Sequence, residues 1–261
     1  MSERILRMLG PAVVGAVFLA AWEGVVRHFE IPTYILPGPG LVAETLWRDG
    51  PSLLGSLWVT VRITIAALAL AIILGGAIAV LFAQWRVLEL SFLPYAIALQ
   101  VTPIVAIAPL IIIWVNDAYW SVLILALIVA FFPIVANTTL GLNSVDRNLA
   151  ALFKLYGATR WQTLRYLRMP TALPSFLAGV KISGGLALVG AVVAELVAGT
   201  GGSETGLAYR ILEAGYRLEI ARQMAALVLL ALTGMAIYFS LDRVSRWLLS
   251  HWHESALPDE E

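Results

Sequence analysis

The chain has 261 residues, 60% of them hydrophobic and 13% charged, with a mean hydropathy of +0.87, which excludes an ordinary soluble domain. Seventeen Lys and Arg balance seventeen Asp and Glu, so the electrostatic footprint of a nucleic-acid binder or a polybasic peripheral protein is missing. The lack of cysteine excludes a disulfide scaffold and any thiolate metal site.

A membrane span needs about 20 apolar residues to cross a hydrocarbon core of about 30 Å. Apolar runs predict six spans, at about 9–27, 57–82, 88–114, 118–137, 172–198 and 223–248. The expected fold is therefore all-α, a polytopic membrane protein with six transmembrane helices forming a single transmembrane domain over 1–261. At the first span, Arg4 and Arg7 precede the apolar run Pro11 to Trp22, and a cleaved signal peptide is the competing reading. No small-x-small cleavage site precedes a hydrophilic start, and Glu23 to Arg27 reads as the end of a span. The next segment opens with Ile31-Pro-Thr-Tyr-Ile-Leu-Pro-Gly-Pro-Gly40, whose prolines predict a stiff, extended connection. A short surface helix from Leu41 to about Arg48 is expected to follow.

Polar residues inside spans are the candidates for function, because lipid penalises them unless they face protein or water. Gln100 and Thr102 sit near the middle of span three, beside Pro103 and ahead of Pro109. Two readings stay open. Freed carbonyls and the Gln100 amide face a translocation path, or a proline-kinked helix hydrogen-bonds a neighbour through Gln100. Span five carries small residues at four-residue spacing, Gly179, Ser183, Ala187 and Ala191, a signal for close helix packing. Glu195 lies near its outer end, either in an outer gate with Arg62 or Glu23, or as a solvated carboxylate at the helix mouth. Gly199-Thr-Gly-Gly-Ser-Glu-Thr-Gly-Leu-Ala208 reads as a flexible turn into an outer helix at about 207–219, available to a solute receptor. His251 and His253 belong to the polar tail.

Orientation follows from the cations. With the N-terminus inside, ten Lys and Arg fall on inner segments and five on outer ones, which places both termini in the cytoplasm. Arg62 then lies near the outer end of span two and Lys181 near the inner end of span five, where each can snorkel toward water.

The inner segment 138–169 is the richest. Leu149, Leu152, Phe153 and Tyr156 recur at one helical face, with Ser144 or Asp146 as N-cap and Gly157 as a left-handed stop. Thr159 and Gln162 form a capping box that starts a second helix, carrying Arg160, Arg165 and Arg168 and ending at Pro170. On physics alone this pair lies on the anionic inner leaflet, or its apolar knob of Leu149, Phe153 and Tyr156 fills a groove on a partner protein.

Gly157, nine residues, then Leu167-Arg-Met-Pro170 resembles the second half of the "EAA" loop of permease subunits in bacterial ABC importers. Ile35-Leu-Pro-Gly-Pro39, Thr60-Val-Arg62, Thr102-Pro-Ile-Val-Ala-Ile-Ala-Pro-Leu110, Gly157-Ala-Thr-Arg-Trp161, Pro170-Thr-Ala-Leu-Pro174 and Ala194-Glu195 resemble the nitrate, sulfonate, taurine and bicarbonate branch. The match spans about residues 35–210. One departure is that the family's Glu-Ala-Ala falls at Ala151-Leu152-Phe153, so the acidic residue is absent.

The resemblance implies a type I importer permease, paired with a second copy of itself, two cytoplasmic ATPases and an external solute-binding protein. It implies that Leu149, Leu152, Phe153, Tyr156, Gly157 and Pro170 form the ATPase-docking loop, and it adds weight to Gln100, Thr102 and Pro103 as pathway residues, with Glu195 the further pathway candidate at the outer end. No phosphate-binding Gly-x4-Gly-Lys-Ser/Thr loop occurs, so ATP is expected on the partner and no cofactor, metal or catalytic residue on this chain. Gly201-Gly-Ser-Glu-Thr205 fails the nucleophile-elbow pattern at its last position. A stand-alone secondary transporter is the alternative, with only Glu23, Arg62, Lys181 and Glu195 to carry ion coupling. Gly179-Val-Lys-Ile182 and Gly190-Ala-Val-Val-Ala-Glu195 resemble permeases for thiamine-pyrimidine precursors, riboflavin and related heterocycles more than those for sulfonates, taurine or nitrate. The expected location is the bacterial inner membrane, in contact with lipid and with no nucleic-acid partner.

Overall fold

The computed structural model describes residues 3–199 and 205–250, without the side chains of residues 3–8, Pro11 and Leu93. His251, His253 and the centre of the glycine segment, 200–204, lie outside the described residues, as do the side chains of Arg4 and Arg7. Every regular element among the described residues is a helix: α1 Glu3–His28, α2 Pro39–Gln84, α3 Arg86–Val101, α4 Ile104–Val115, α5 Ala118–Asn143, α6 Arg147–Leu155, α7 Arg160–Thr163, a π-turned segment Leu164–Arg168, α8 Met169–Ala198, α9 Leu207–Tyr216 and α10 Ile220–Leu249. Among these residues four helices are long and apolar enough to cross a membrane, Pro39–Gln84, Ala118–Asn143, Arg160–Ala198 and Ile220–Leu249. The α3 and α4 pair makes a fifth if it counts as one broken span. The backbone divides into two compact units, 1–59 with 201–231, and 60–200 with 232–261.

Two elements before α5 differ from the sequence expectation. The surface helix expected over Leu41 to Arg48 is not separate. It is the beginning of α2, which runs 46 residues through Pro51. Pro39, whose missing N–H costs nothing in a first helical turn, starts it, and the Glu23 carboxylate accepts from the Gly40 N–H at 3.4 Å, at the positive end of the helix dipole. Span three, expected as one helix over 88–114, breaks at Thr102 and Pro103, and its axis turns by 100°. Pro103 has no N–H for the ladder and drives Thr102 into an extended conformation, φ −72° and ψ 126°.

In the first unit, α1, the start of α2, α9 and the start of α10 pack around Val42, Leu53, Leu207, Ala225 and Ala226, with Trp22 and Ile211 against them. Val14, Val17 and Phe18 of α1 stay exposed, as suits a lipid-facing helix. Glu23 pairs with Arg27 at 2.6 Å. On α9, Glu213 takes Arg210 at 2.8 Å and Arg217 at 2.7 Å. The Arg210 hydrogen bond holds the Glu213 carboxyl below the usual carboxylate range, against the opposing effect of burial and with further help from Arg217.

The second unit is built on α5 and α8. Ala130 and Ile134 of α5 meet Val180 and Ala187 of α8, with Leu68 and Ala71 of α2. The small-residue stripe of α8 is what permits this approach: Ser183 Oγ donates to Ala130 O at 2.6 Å, and Ala187 and Ala191 are fully buried. A Cβ on Gly179 would stand 3.0 Å from Pro133 O, and one on Gly190 2.9 Å from Ala126 Cα. Lys181 does not simply snorkel. It meets Asp242 of α10 at 3.4 Å, and Asp242 takes Arg246 at 2.8 Å, so the charge at this end of α8 is answered within the protein.

Candidate functional site

The segment 144–170 folds as its capping residues dictate. Asp146 Oδ1 accepts from the N–H groups of Asn148 at 2.7 Å and Leu149 at 3.1 Å, satisfying two donors that an α-helix leaves open at its start. At the other end Gly157 adopts φ +70°. Its N–H bonds Lys154 O at 3.1 Å and the Ala158 N–H bonds Phe153 O at 3.0 Å, the paired bonds of a Schellman motif. Thr159 then closes a reciprocal box, with Gln162 N to Thr159 Oγ1 at 3.2 Å and Thr159 N to Gln162 Oε1 at 2.8 Å.

The second loop helix does not end at Pro170 as its sequence suggested: the chain continues from Arg160 to Ala198 as one helical run, with a π-turn over Leu164–Arg168. Pro170 accounts for the wide turn: its ring would collide with the carbonyl four residues back in a regular helix, and the extra residue per turn relieves the crowding. Leu164 and Leu167 are buried, and Arg168 Nη1 donates to Ala83 O at 2.7 Å, fastening the loop to the end of α2.

The apolar face of α6 is solvent-facing but is not the one the spacing suggested. Leu149 and Leu152 are about half exposed, at 48% and 46%, while Leu155 and Tyr156 stand out at 83% and 81%. Phe153, expected in the projecting knob, is half-buried with Ala150 on the inner side of the helix. Leu155 was missed because it falls off the i, i+3, i+4, i+7 series. Its signal is that it follows Leu152 by three residues. Ala151, where the resembling family has glutamate, is exposed.

Gln100, Thr102 and Pro103 are exposed at the break between α3 and α4, and Thr102 Oγ1 bonds back to Ala98 O at 2.7 Å. Glu195 lies elsewhere in character: it is only 2% exposed and accepts from Thr60 Oγ1 at 3.0 Å. Arg62 lies over the Tyr119 ring, 5.2 Å from its centroid, a cation–π contact. Sequence reasoning passed over Glu89 as well. This carboxylate is buried at the base of α3, bonded by Arg86 at 2.7 Å and Asn143 at 3.4 Å, and only the Arg86-x-x-Glu89 spacing announces it.

Residues 67–253 match the family model described as "Binding-protein-dependent transport system inner membrane component". The riboflavin transport system permease protein RibX of Chloroflexus aurantiacus is 36% identical over 256 residues, covering 95% of this chain and 91% of the relative. The formylaminopyrimidine transport permease protein ThiX of Halalkalibacterium halodurans is 30% identical over 248 residues, covering 95% and 97%. Among solved structures, the inward-facing MetNI methionine ABC transporter superposes with a TM-score of 0.65 at 20% identity, over 74% of this chain and 94% of the other; that likeness is one of fold.

Proposed function

The chain belongs to the binding-protein-dependent inner-membrane transport family and is the permease subunit of an ABC importer, and we propose that it carries a small heterocyclic solute of the flavin or pyrimidine class. The support for that class is the run of relatives named for riboflavin and for formylaminopyrimidine over nearly the whole chain. Members of this family work with an ATPase and a binding protein. Here we assign two copies of this chain, two cytoplasmic ATPases and one external solute-binding protein, with ATP held by the ATPases and both termini in the cytoplasm. The ten-to-five distribution of cations supports that orientation.

The observation that carries the docking assignment is the exposed ridge of α6. Leu149, Leu152, Leu155 and Tyr156 offer apolar surface at 46% to 83% exposure on a helix capped at both ends, the form a helix-in-groove contact takes. A push on that ridge reaches the spans along two rigid routes, the continuous helical run from Arg160 into α8 and the Arg168 to Ala83 bond. Access to the path then alternates between the two sides. Gln100, Thr102 and Pro103 face that path in the paired assembly, and Glu195 acts near its outer gate.

Co-purification tests the docking reading. The tagged chain, expressed with its neighbouring genes, retains the ATPase in detergent, and Tyr156→Glu releases it by placing a charge in an apolar contact. An ATPase bound equally by both proteins overturns the assignment of α6.

A further inference from the structure

The second unit holds a cavity of about 490 Å³ behind the loop, on the side of α6 away from the ridge. Six residues define its character: Arg86, Glu89, Asn143, Lys154, Arg160 and Arg168. Glu89 is the single carboxylate among the lining residues, and it is already engaged by Arg86 and Asn143. Arg168 spends one guanidinium donor on Ala83 O. Lys154 and Arg160, both exposed at the cavity's rim, make no ion pair or side-chain hydrogen bond among the described residues. Three cations from three consecutive segments, α6, α7 and the π-turn, thus line one space whose single carboxylate is taken by Arg86.

Like charges gathered in a partly enclosed space repel one another more strongly than in bulk water, so the cavity favours an anion of more than one negative charge. Guanidinium groups grip tetrahedral oxyanions through paired N–H donors, and an ammonium adds a point charge. The depth is also informative. The cavity lies where α2 ends at Gln84, α5 ends at Asn143 and α8 begins at Met169; on the cytoplasmic placement proposed above, such span ends meet the lipid headgroups, and basic pockets between spans at that level hold anionic ones.

We propose that this cavity binds a phosphate-bearing anion through Lys154, Arg160 and Arg168, and that the bound anion ties the loop helices to the ends of α2 and α8. The site does not depend on the transported solute or on the ATPase. Its phosphate comes from an anionic lipid headgroup or from a soluble phosphate compound, which share this chemistry.

The test uses the full chain purified in neutral detergent, titrated calorimetrically with inorganic pyrophosphate. Lys154→Gln and Arg160→Gln should each weaken binding by about tenfold or more, the usual effect of deleting a charged hydrogen bond. Lys154→Arg should retain affinity, and Arg147→Gln, an equally exposed cation of the same loop that does not line the cavity, should change it less than about twofold. Circular dichroism checks that each variant is folded. The titration is repeated in nanodiscs of phosphatidylcholine alone and with phosphatidylglycerol. Weakened pyrophosphate binding in the second, lost in Lys154→Gln, identifies the lipid as source; equal binding in both identifies a soluble ligand. Absence of pyrophosphate binding together with no phosphatidylglycerol retained in native mass spectrometry overturns the proposal. So does an equal loss in Arg147→Gln, because diffuse loop charge would then account for the binding.

Discussion

Gly190→Ala should loosen the packing of α5 against α8 although it adds only one methyl group. The new Cβ would stand 2.9 Å from Ala126 Cα and 3.3 Å from Val129 Cβ, whereas carbon atoms rest at about 3.5 to 4.0 Å. Backbone is in the way, so the helices must part by several tenths of an ångström along an interface that also holds the 2.6 Å bond from Ser183 to Ala130. Overpacking of this kind costs about 1 to 3 kcal/mol. In water a better helix propensity would offset up to about 1 kcal/mol, but spans stay helical in both states in a bilayer or detergent, so little of that is recovered. The folded-to-unfolded ratio should fall by about 5- to 150-fold. Gly185→Ala is the control, since nothing lies within 4 Å of its Cβ position. The nine tryptophans supply a fluorescence readout of unfolding as dodecyl sulfate is titrated into maltoside micelles. Equal midpoints for Gly190→Ala and Gly185→Ala would refute the close-approach argument.

Gly157→Ala should weaken ATPase retention through the backbone alone, by about 1 kcal/mol for a left-handed residue with a Cβ, because its φ is +70° and its surroundings are open. Gly157→Asn should do less harm, and a Gly157→Leu effect far beyond Ala, since Leu is unbranched at Cβ, would show that side-chain volume matters instead. Glu195→Gln keeps an acceptor for Thr60 but replaces the buried carboxyl with an amide, so solute uptake into proteoliposomes should drop while membrane insertion is retained; unchanged uptake removes Glu195 from the gate. For Glu213, whose folded carboxyl titrates below its unfolded value, the stabilisation is complete above the unfolded value of about 4.3. It is lost as pH falls through the folded one. The melting temperature of the native chain minus that of Glu213→Gln should therefore be flat near neutrality and shrink below about pH 4.3; a difference unchanged through the acid range contradicts the Arg210 account.

What could be read from the sequence was whatever local chemistry decides. Asp146, Gly157, Thr159 and Gln162 each satisfy or release specific backbone groups within four residues, so the loop's caps were legible one by one. The four-residue stripe from Gly179 to Ala191 gave the packing face of α8 for the same reason: spacing along one helix fixes a face. The break at Pro103 was half legible. Proline forbids a regular ladder, but whether the helix kinks or turns through 100° depends on what packs beside it.

Illegible were the partners chosen across space. Lys181 reads as a residue that snorkels until Asp242, 61 positions away, is brought within 3.4 Å. Glu195 reads equally as a gate residue or as a solvated one at the helix mouth until Thr60, 135 positions away, is seen to hold it within the protein. Both cases have one cause. In lipid a lone charge or an unpaired polar group is costly enough that the fold supplies an answering group, and one-dimensional periodicity does not reveal which one. The basic cavity behind α6 inverts that pattern, for there the fold gathers Lys154, Arg160 and Arg168 while the one lining carboxylate, Glu89, is already held by Arg86 and Asn143. A chain that answers Lys181 and Arg246 with Asp242 and Arg210 with Glu213, yet leaves three cations facing one space, is organised there for an anion that comes from outside it.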